Sequence, residues 1–338
     1  MQQRLQILML AVLFLCGSCS KRDAKLHLFA FSEYIPQEVL DGFTKETGIA
    51  VDYEMYDNNE AMLSKLAPGS TQYDVIQPSE YAVEHLIHRD MLAPLDFSQI
   101  PNVANLEPDM RNLPYDPGQK YSVPYMTGTV GIVCNTTTIH DPIRGFADVF
   151  QEKYRQRIVV VDDNREIVSW AFSQLGIPIN DMTPENLAKA KPLLKQWLPL
   201  IKVYDAEDPK RPLLGGDVDI GVIYSGDAAK LIEQDKRFVY VLPDKTHGWI
   251  DNLCVLAAST HKPEAFAFIN YILRPDVSKK ISDKFPYTNP NAAARKLLTP
   301  EQLANPASYP KAIGNLDVFH DIGTEAPDVS KMMTDLRG

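Results

Sequence analysis

The chain has 338 residues and a mass of 38.0 kDa, which exceeds the size at which one hydrophobic core usually stops growing, so two domains are expected. With 45% apolar and 23% charged residues, the composition is that of a soluble globular protein and excludes disordered and fibrous classes. A formal net charge of −10 argues against nucleic acid as a partner and against a membrane contact through a basic surface.

A short basic start and an apolar run open the chain. The run from Ile7 to Leu15 is about half the roughly 20 residues that a membrane-spanning helix needs, so 1–18 is predicted to be a signal peptide. Two small residues precede Cys19, which resembles the lipobox of bacterial lipoproteins and implies a lipid on Cys19. We therefore expect a periplasmic protein that touches the membrane only through this lipid. Cleavage without lipidation is the alternative, because Cys16 stands where the lipobox usually has Leu.

Strand and helix patterns alternate in the first part of the chain. Residues 26–31 are typical of a strand, and the amphipathic segment from Pro36 to Gly48 is typical of a helix. A strand over 49–56, a helix capped by Asn58 and a short strand over 73–76 follow. The order β-α-β-α-β predicts a parallel sheet.

A second alternating set follows a connection rich in Pro and Asn. Strands are predicted over 121–135, 158–161, 220–224, 238–242 and 252–258. Helices are predicted over 146–156, 166–175, 183–197 with an interruption at Pro192, and 262–284 with a break at 274–275. The fold class is therefore α/β with two domains.

The motifs of common enzymes and of nucleotide-binding loops are missing from the sequence, and no cofactor is predicted. His85 and His88 lie three residues apart on a predicted helix and could reach one metal ion, but a solvated helix face is the favoured interpretation, so no metal site is predicted. An enzyme that acts on a small amine is the alternative from another class, because acids and tyrosines in a cleft are also candidates for proton transfer.

A carboxylate next to an aromatic residue recurs at the ends of predicted strands, where open α/β sheets bind their ligands. Both residue types occur in 31–34, 79–81 and 249–251, whereas 162–166 contributes only acids and 224–226 contributes only the aromatic Tyr224. Carboxylates form charge-assisted hydrogen bonds with ammonium groups, and aromatic faces pack against methylenes and attract cations. Each instance alone also fits a helix cap or a core residue, but together they favour an aliphatic polyamine as ligand.

Several ordered segments resemble the spermidine/putrescine-binding proteins of bacterial ABC transporters. They are Phe31-Ser-Glu-Tyr-Ile-Pro, Gly42-Phe-Thr-Lys-Glu-Thr-Gly-Ile-Ala-Val, Asn59-Glu-Ala-Met-Leu-Ser-Lys-Leu, Tyr73-Asp-Val-Ile-Gln-Pro-Ser, Asp162-Asp-Asn-Arg-Glu and Asn289-Pro-Asn-Ala-Ala-Ala-Arg-Lys-Leu-Leu. The resemblance implies a non-catalytic protein that captures putrescine or spermidine and delivers it to ABC permease subunits. A sensing or adhesion lipoprotein on the same fold stays open as an alternative.

The resemblance also implies a type II periplasmic-binding-protein fold, with two lobes that close like a flytrap and a mainly parallel sheet in each. Lobe 1 would comprise 20–130 plus 252–295, and lobe 2 would comprise 131–251 plus 296–338. The strands that cross between the lobes would lie near Gly131 and Asn252. Cys134 and Cys254 would then sit on neighbouring crossovers, where either a disulfide or two buried free thiols would fit.

The same resemblance implies a ligand site built from both lobes. Lobe 1 would contribute Phe31, Ser32, Glu33, Tyr34, Ser79 and Tyr81. Lobe 2 and the hinge would contribute Asp163, Glu166, Tyr224, Trp249, Asp251 and Tyr287. The acids would bind ammonium groups, and the aromatic rings would hold the methylene chain. The sequence has Phe31 and Tyr224 where the family commonly has Trp, and Phe319-His320 near a usual Gln, so the choice between putrescine and spermidine stays open.

Overall fold

The computed structural model describes residues 25–32, 34–66, 72–310 and 316–338. The predicted signal peptide 1–18, the lipidation site Cys19 and the predicted ligand residue Glu33 lie outside the described residues. The strands are β1 Lys25–Phe31, β2 Ala50–Tyr56, β3 Val75–Ile76, β4 Ser122–Asn135, β5 Ile158–Val160, β6 Ile201–Tyr204, β7 Ile220–Tyr224, β8 Phe238–Val241 and β9 Gly248–Val255.

The helices flank these strands along the whole chain. They are α1 Gln37–Thr47, α2 Asn59–Lys65, α3 Glu80–His88, α4 Phe146–Val149, α5 Asn164–Leu175, α6 Pro184–Trp197, α7 Lys210–Leu214, α8 Ser225–Gln234, α9 Lys262–Ile272, α10 Pro275–Lys284, α11 Ala292–Arg295, α12 Pro300–Leu303 and α13 Ala326–Arg337. None of the helices in the described ranges is both long and apolar enough to cross a bilayer.

The strands form one path of pairing that runs through two lobes, in the order β2-β1-β3-β9-β4-β7-β5-β6, with β8 also paired to β4. Lobe 1 contains β1, β2 and β3, which are parallel as predicted, together with β9. Lobe 2 contains β5, β6 and β7, also parallel, and β8. The long strand β4 crosses between them, because residues 122–129 pair with β9 and residues 130–135 pair with β7 and β8. The predicted fold class is confirmed, whereas the domain boundaries stay a prediction.

Each lobe has its own hydrophobic core. Successive side chains of a strand point to opposite faces of the sheet, so the lobe 1 strands contribute to two hydrophobic clusters. In β1, Leu28 packs in one cluster and Phe29 in the other. The core of lobe 2 surrounds β5 and β7 and includes Trp170 of α5 and Met333 of α13. Two separately buried cores allow the lobes to move relative to each other as units.

Local sequence signals set the ends of several elements. Gly48 ends α1 in the left-handed conformation, with φ of 74°, as a glycine permits. The side chains of Asn58 and Thr183 cap α2 and α6, as predicted. The interruption predicted at Pro192 is wrong, because α6 runs through it. Pro192 and Ala188 are both exposed, so the carbonyl that loses its helical hydrogen bond can be hydrated.

The disulfide considered for Cys134 and Cys254 is not formed, and both thiols are free and buried. Cys254 pairs with Ser122 at the lobe 1 end of β4, whereas Cys134 lies twelve residues further along β4 in the core of lobe 2. A strand of that length spans roughly 40 Å, far beyond the reach of a disulfide. Of the two alternatives, the structure has the free thiols, because β4 and β9 are antiparallel and their carboxyl ends run into opposite lobes.

Candidate functional site

A cavity of about 590 Å³ lies between the two lobes. Its lobe 1 wall comes from the carboxyl ends of β1 and β2 and from the start of α3, and its lobe 2 wall comes from the start of α5 and the end of β7. Strand β9, which pairs with the crossing strand β4, contributes Trp249 and Asp251 to the lining. This is the position at which open α/β sheets bind ligands, because the carboxyl ends of parallel strands meet at one edge.

Every predicted ligand-binding residue that the structure describes lines this cavity. They are Phe31, Ser32, Tyr34, Ser79, Tyr81, Asp163, Glu166, Tyr224, Trp249, Asp251 and Tyr287. Their positions span more than 250 residues of sequence, so only the folded chain brings them together. Their roles toward a ligand stay a prediction.

The buried carboxylate of Asp251 is held by two hydroxyl groups. Ser79 Oγ donates to Oδ1 at 2.6 Å, and Tyr34 OH donates to Oδ2 at 2.8 Å. Burial raises the pKa of Asp251 to about 7, although these two hydrogen bonds oppose the rise. Neutral donors leave the charge of the carboxylate uncompensated, so Asp251 is suited to receive a cation from the cavity.

A second buried carboxylate, Glu166, is held by a histidine. His247 Nδ1 lies 2.5 Å from Glu166 Oε1, and His247 Nε2 lies 3.2 Å from Glu80 Oε1. Glu80 also accepts from the backbone N–H groups of Ile250 and Phe319. Burial alone would lower the pKa of His247, but the two carboxylates raise it to about 9. The ring is therefore an imidazolium at neutral pH, and it joins an acid of lobe 1 to an acid of lobe 2.

Two further acids face the cavity close to Glu166. Asp163 caps α5 by accepting from the backbone N–H groups of Arg165 and Glu166, at 2.8 and 3.0 Å. Burial, and then the charge of Glu166, raise the pKa of Asp163. Glu60 of α2 accepts from Tyr81 OH at 3.1 Å, and burial raises its pKa as well. A bound cation would lower these pKa values again, because it stabilises the ionised carboxylates.

Aromatic rings line the cavity between the acids. Trp249 meets Tyr287 edge to face with ring centroids 5.0 Å apart, and Tyr224 approaches Trp249 at 6.3 Å. A Cβ atom on Gly226 would lie only 2.3 Å from the Tyr287 ring, so this ring position requires glycine there. Ring faces of this kind can pack against an aliphatic chain and attract an ammonium group.

The cavity also contains cations of the protein itself. The guanidinium of Arg165 lies 4.0 Å from the Phe319 ring and 5.0 Å from the Tyr81 ring. Lys210 Nζ lies 3.0 Å from Asp227 Oδ1. These groups compensate some of the acids on the walls, so the cavity is less negative than its number of carboxylates suggests.

Several lining residues were missed in the sequence. Asp57 and Glu60 follow the carboxyl end of β2, and applying the strand-end rule to that strand would have found them. Arg165 lies inside a segment that was singled out only for its acids. His247 has no signal in the sequence, because its partners Glu80 and Glu166 are 167 and 81 residues away.

This fold and this site define a class of protein. It is a two-lobed ligand-binding protein with a cavity of buried acids and aromatic rings between its lobes. The chain belongs to the bacterial extracellular solute-binding proteins, whose family profile matches residues 38–311. The fold is that of the type II periplasmic binding proteins, as predicted.

Individual relatives agree with the predicted family. The spermidine/putrescine-binding periplasmic protein of Escherichia coli (strain K12) is 35% identical over 305 residues, which covers 88% of this chain and 87% of the relative. The putrescine-binding periplasmic protein of Pseudomonas aeruginosa (strain UCBPP-PA14) is 30% identical over 329 residues, with 90% of each chain covered. The solved spermidine/putrescine ABC transporter substrate-binding protein of Streptococcus pneumoniae has a TM-score of 0.81 and 33% identity, covering 93% of this chain and 98% of that one.

Proposed function

We propose that this protein binds an aliphatic polyamine, putrescine or spermidine, in the cavity between its lobes. The observation that carries the proposal is the convergence of the buried carboxylates Asp251, Asp163 and Glu166 with the rings of Trp249 and Tyr287 on one cavity. The names of the relatives in Escherichia coli and Pseudomonas aeruginosa support the same ligand class.

The energetics of such a site favour binding. A charge-assisted hydrogen bond contributes roughly 1.5–3 kcal/mol, and each buried methylene contributes about 0.8 kcal/mol. One such bond to each of two ammonium groups and four buried methylenes together contribute roughly 6–9 kcal/mol, which exceeds the lower estimates of the association cost of about 4 kcal/mol. Each further hydrogen bond from an ammonium group would tighten binding by about tenfold or more. Anions would be repelled by the same walls.

Calorimetric titration of the purified protein with putrescine, spermidine and cadaverine tests this proposal. We expect at least one of the three to bind with a Kd on the order of micromolar or below, which corresponds to a net binding free energy of about −8 kcal/mol. Butane-1,4-diol is the matched control, since it keeps the methylenes of putrescine and lacks its charges. If none of the amines binds more tightly than the diol, the proposed ligand class is wrong.

We also propose that the protein acts without catalysis and passes its ligand to the permease subunits of an ABC transporter. A polyamine recovered unchanged after prolonged incubation with the protein would support this, and a new product would favour the amine-acting enzyme instead. Loss of polyamine uptake by cells that lack this protein, restored by the intact chain, would support delivery to a permease.

The final part of the proposal concerns location. Export to the periplasm and a lipid on Cys19 follow from the basic and apolar start of the sequence. Cys19→Ala is expected to move the protein from the membrane fraction to the soluble periplasmic fraction. An unchanged distribution between the two fractions would contradict the lipid anchor.

A further inference from the structure

His247 contacts one carboxylate of each lobe and so connects the two lobes through the protein's own side chains. It is 4% exposed and precedes β9, so it lies at the hinge. One ring nitrogen faces Glu80 at the start of α3 in lobe 1, and the other faces Glu166 in α5 of lobe 2. The ring also stacks on Phe319, with centroids 3.6 Å apart. Opening of the lobes would separate Glu80 from Glu166, and His247 could then keep only one of them.

We propose that His247 is a positioning residue of the ligand site: its imidazolium joins Glu80 to Glu166 when the lobes close around a polyamine, so that closure takes up a proton from solvent. The proposal rests on the proposed function and deepens it, because it assigns a role to a residue that touches the ligand-binding acid.

The hydrogen-bond geometry requires the proton. A neutral imidazole donates from one nitrogen and accepts at the other, so one of the two carboxylates would face a lone pair. Only the imidazolium donates at both nitrogens, to Glu166 Oε1 at 2.5 Å and to Glu80 Oε1 at 3.2 Å. Two buried carboxylates with no cation between them would also repel each other strongly.

Several other charged groups lie near His247. Asp163 precedes α5, and Asp251 lies on β9; both are acids whose charge interacts with the ring. The segment that contains Phe319 also provides Asp317, whose backbone pairs with that of His247. Arg165 is the cation on this side, and it lies over Phe319. The acids outnumber this cation, so the surroundings of the ring favour its protonated form.

The same contact determines what Glu166 offers to a ligand. Oε1 is occupied by His247, while Oε2 is buried and has no hydrogen-bond partner among the described residues. Glu166 lines the cavity. The carboxylate therefore presents one oxygen to an ammonium group, and His247 holds it in that orientation.

The sign of the linkage follows from the pKa of His247. The pKa is raised to about 9 in the structure, where Glu166 and Glu80 both act on the ring, and it would be lower in an open form that keeps Glu166 and loses Glu80. Between the pKa values of the two forms, the closed form holds more protons than the open form. Closure therefore takes up a fraction of a proton near pH 8, and this contribution to affinity is lost as the pH rises through 9.

Calorimetry of putrescine binding at pH 8, in buffers of different ionisation enthalpy, measures this proton uptake directly. We compare the wild-type protein with His247→Gln, which removes the titrating group, and with Glu80→Gln, which keeps the ring and removes its lobe 1 partner. His261→Gln is the matched control, because His261 pairs with Asp74 away from the cavity. Changes in the protonation of the amine and of Asp251 also contribute to the measured proton uptake. These contributions are common to the wild type and the variants, so the difference between proteins reports on His247.

The wild-type protein and His261→Gln are expected to take up the same fraction of a proton, and both other variants are expected to take up less. Glu80→Gln is also expected to bind putrescine at least about fivefold more weakly than the wild type at pH 7.5. A fivefold change is about the lower limit of the affinity changes that coupling between two sites usually produces. Equal proton uptake by wild type, His247→Gln and Glu80→Gln would overturn the role of His247. Absence of polyamine binding by the wild type would instead refute the proposed function, so the two failures are distinguishable.

Discussion

Two buried carboxylates of the cavity, Asp251 and Glu166, are held in different ways. Asp251 receives hydrogen bonds from the hydroxyls of Ser79 and Tyr34, which are neutral. Glu166 receives its hydrogen bond from His247, which is charged. Hydroxyl donors position a carboxylate and leave its charge for the ligand, whereas an imidazolium positions a carboxylate and neutralises part of that charge.

This difference predicts unequal contributions to binding. Asp251 is expected to be the main electrostatic anchor for one ammonium group. Glu166 is expected to respond to the closure of the lobes, because His247 also contacts Glu80. Variants that remove one charge at a time can test whether the two carboxylates differ in this way.

The largest effect is expected from Asp251→Asn. The amide keeps the shape of the side chain and removes its charge, so the charge-assisted bond to the ligand is lost. We expect putrescine affinity to fall by about 10- to 100-fold, from the roughly 1.5–3 kcal/mol of such a bond. Asp328→Asn, on the exposed face of α13, is the control and should bind as wild type does. A change below threefold in Asp251→Asn would contradict its role as the anchor.

A smaller effect is expected from Glu166→Gln, because His247 already neutralises part of the charge of this carboxylate. The expected loss of affinity is about tenfold, at the lower end of the range for a charge-assisted bond. The measurement is the same titration, with thermal unfolding as a check that the variant is folded. A loss larger than that of Asp251→Asn would reverse the predicted order of the two carboxylates.

Acidification is expected to weaken binding through Asp251. Its pKa is raised to about 7 without ligand, so the group becomes protonated as the pH falls through 7 and no longer attracts an ammonium group. Proton uptake by His247 would strengthen binding as the pH falls, so the effect of Asp251 is measured in His247→Gln, whose affinity should fall by about eightfold between pH 7.5 and pH 6. Titrations of His247→Gln at both pH values check this, and adding Asp251→Asn should remove most of the dependence. An unchanged affinity of His247→Gln at pH 6 would mean that Asp251 does not bind the cation.

The smallest effect is expected from reducing agents, because each lobe holds one free, buried thiol and no bridge joins them. Thermal unfolding with and without a reductant should give the same Tm. Thiol titration of the denatured protein should find both Cys134 and Cys254 reactive before reduction. A Tm that drops by several degrees on reduction would show that a disulfide stabilises the protein after all.

Much of the fold could be predicted because its signals are local. Caps such as Asn58 and Thr183, and the left-handed Gly48, determine where helices begin and end. Acids and aromatic residues placed after strands identified most of the cavity walls, since the ends of parallel strands converge wherever such a sheet forms. Residues such as Asp163 and Tyr224 could be located in this way without knowledge of their partners.

Other features could not be predicted because they depend on contacts between distant segments. Nothing near His247 indicates that it lies between Glu80 and Glu166. The sequence left open whether Cys134 and Cys254 are bridged for a related reason, because only the antiparallel pairing of β4 and β9 shows that they lie in different lobes.

The sequence by itself therefore determined the α/β class, the order of the elements, the family resemblance and the chemistry of the ligand walls. Only the tertiary structure decided how each carboxylate is compensated, which residue connects the lobes at the hinge and where the two thiols lie. The physical reason is that helix caps and strand patterns act over a few residues, whereas burial and pairing of charges depend on which segments meet when the chain folds.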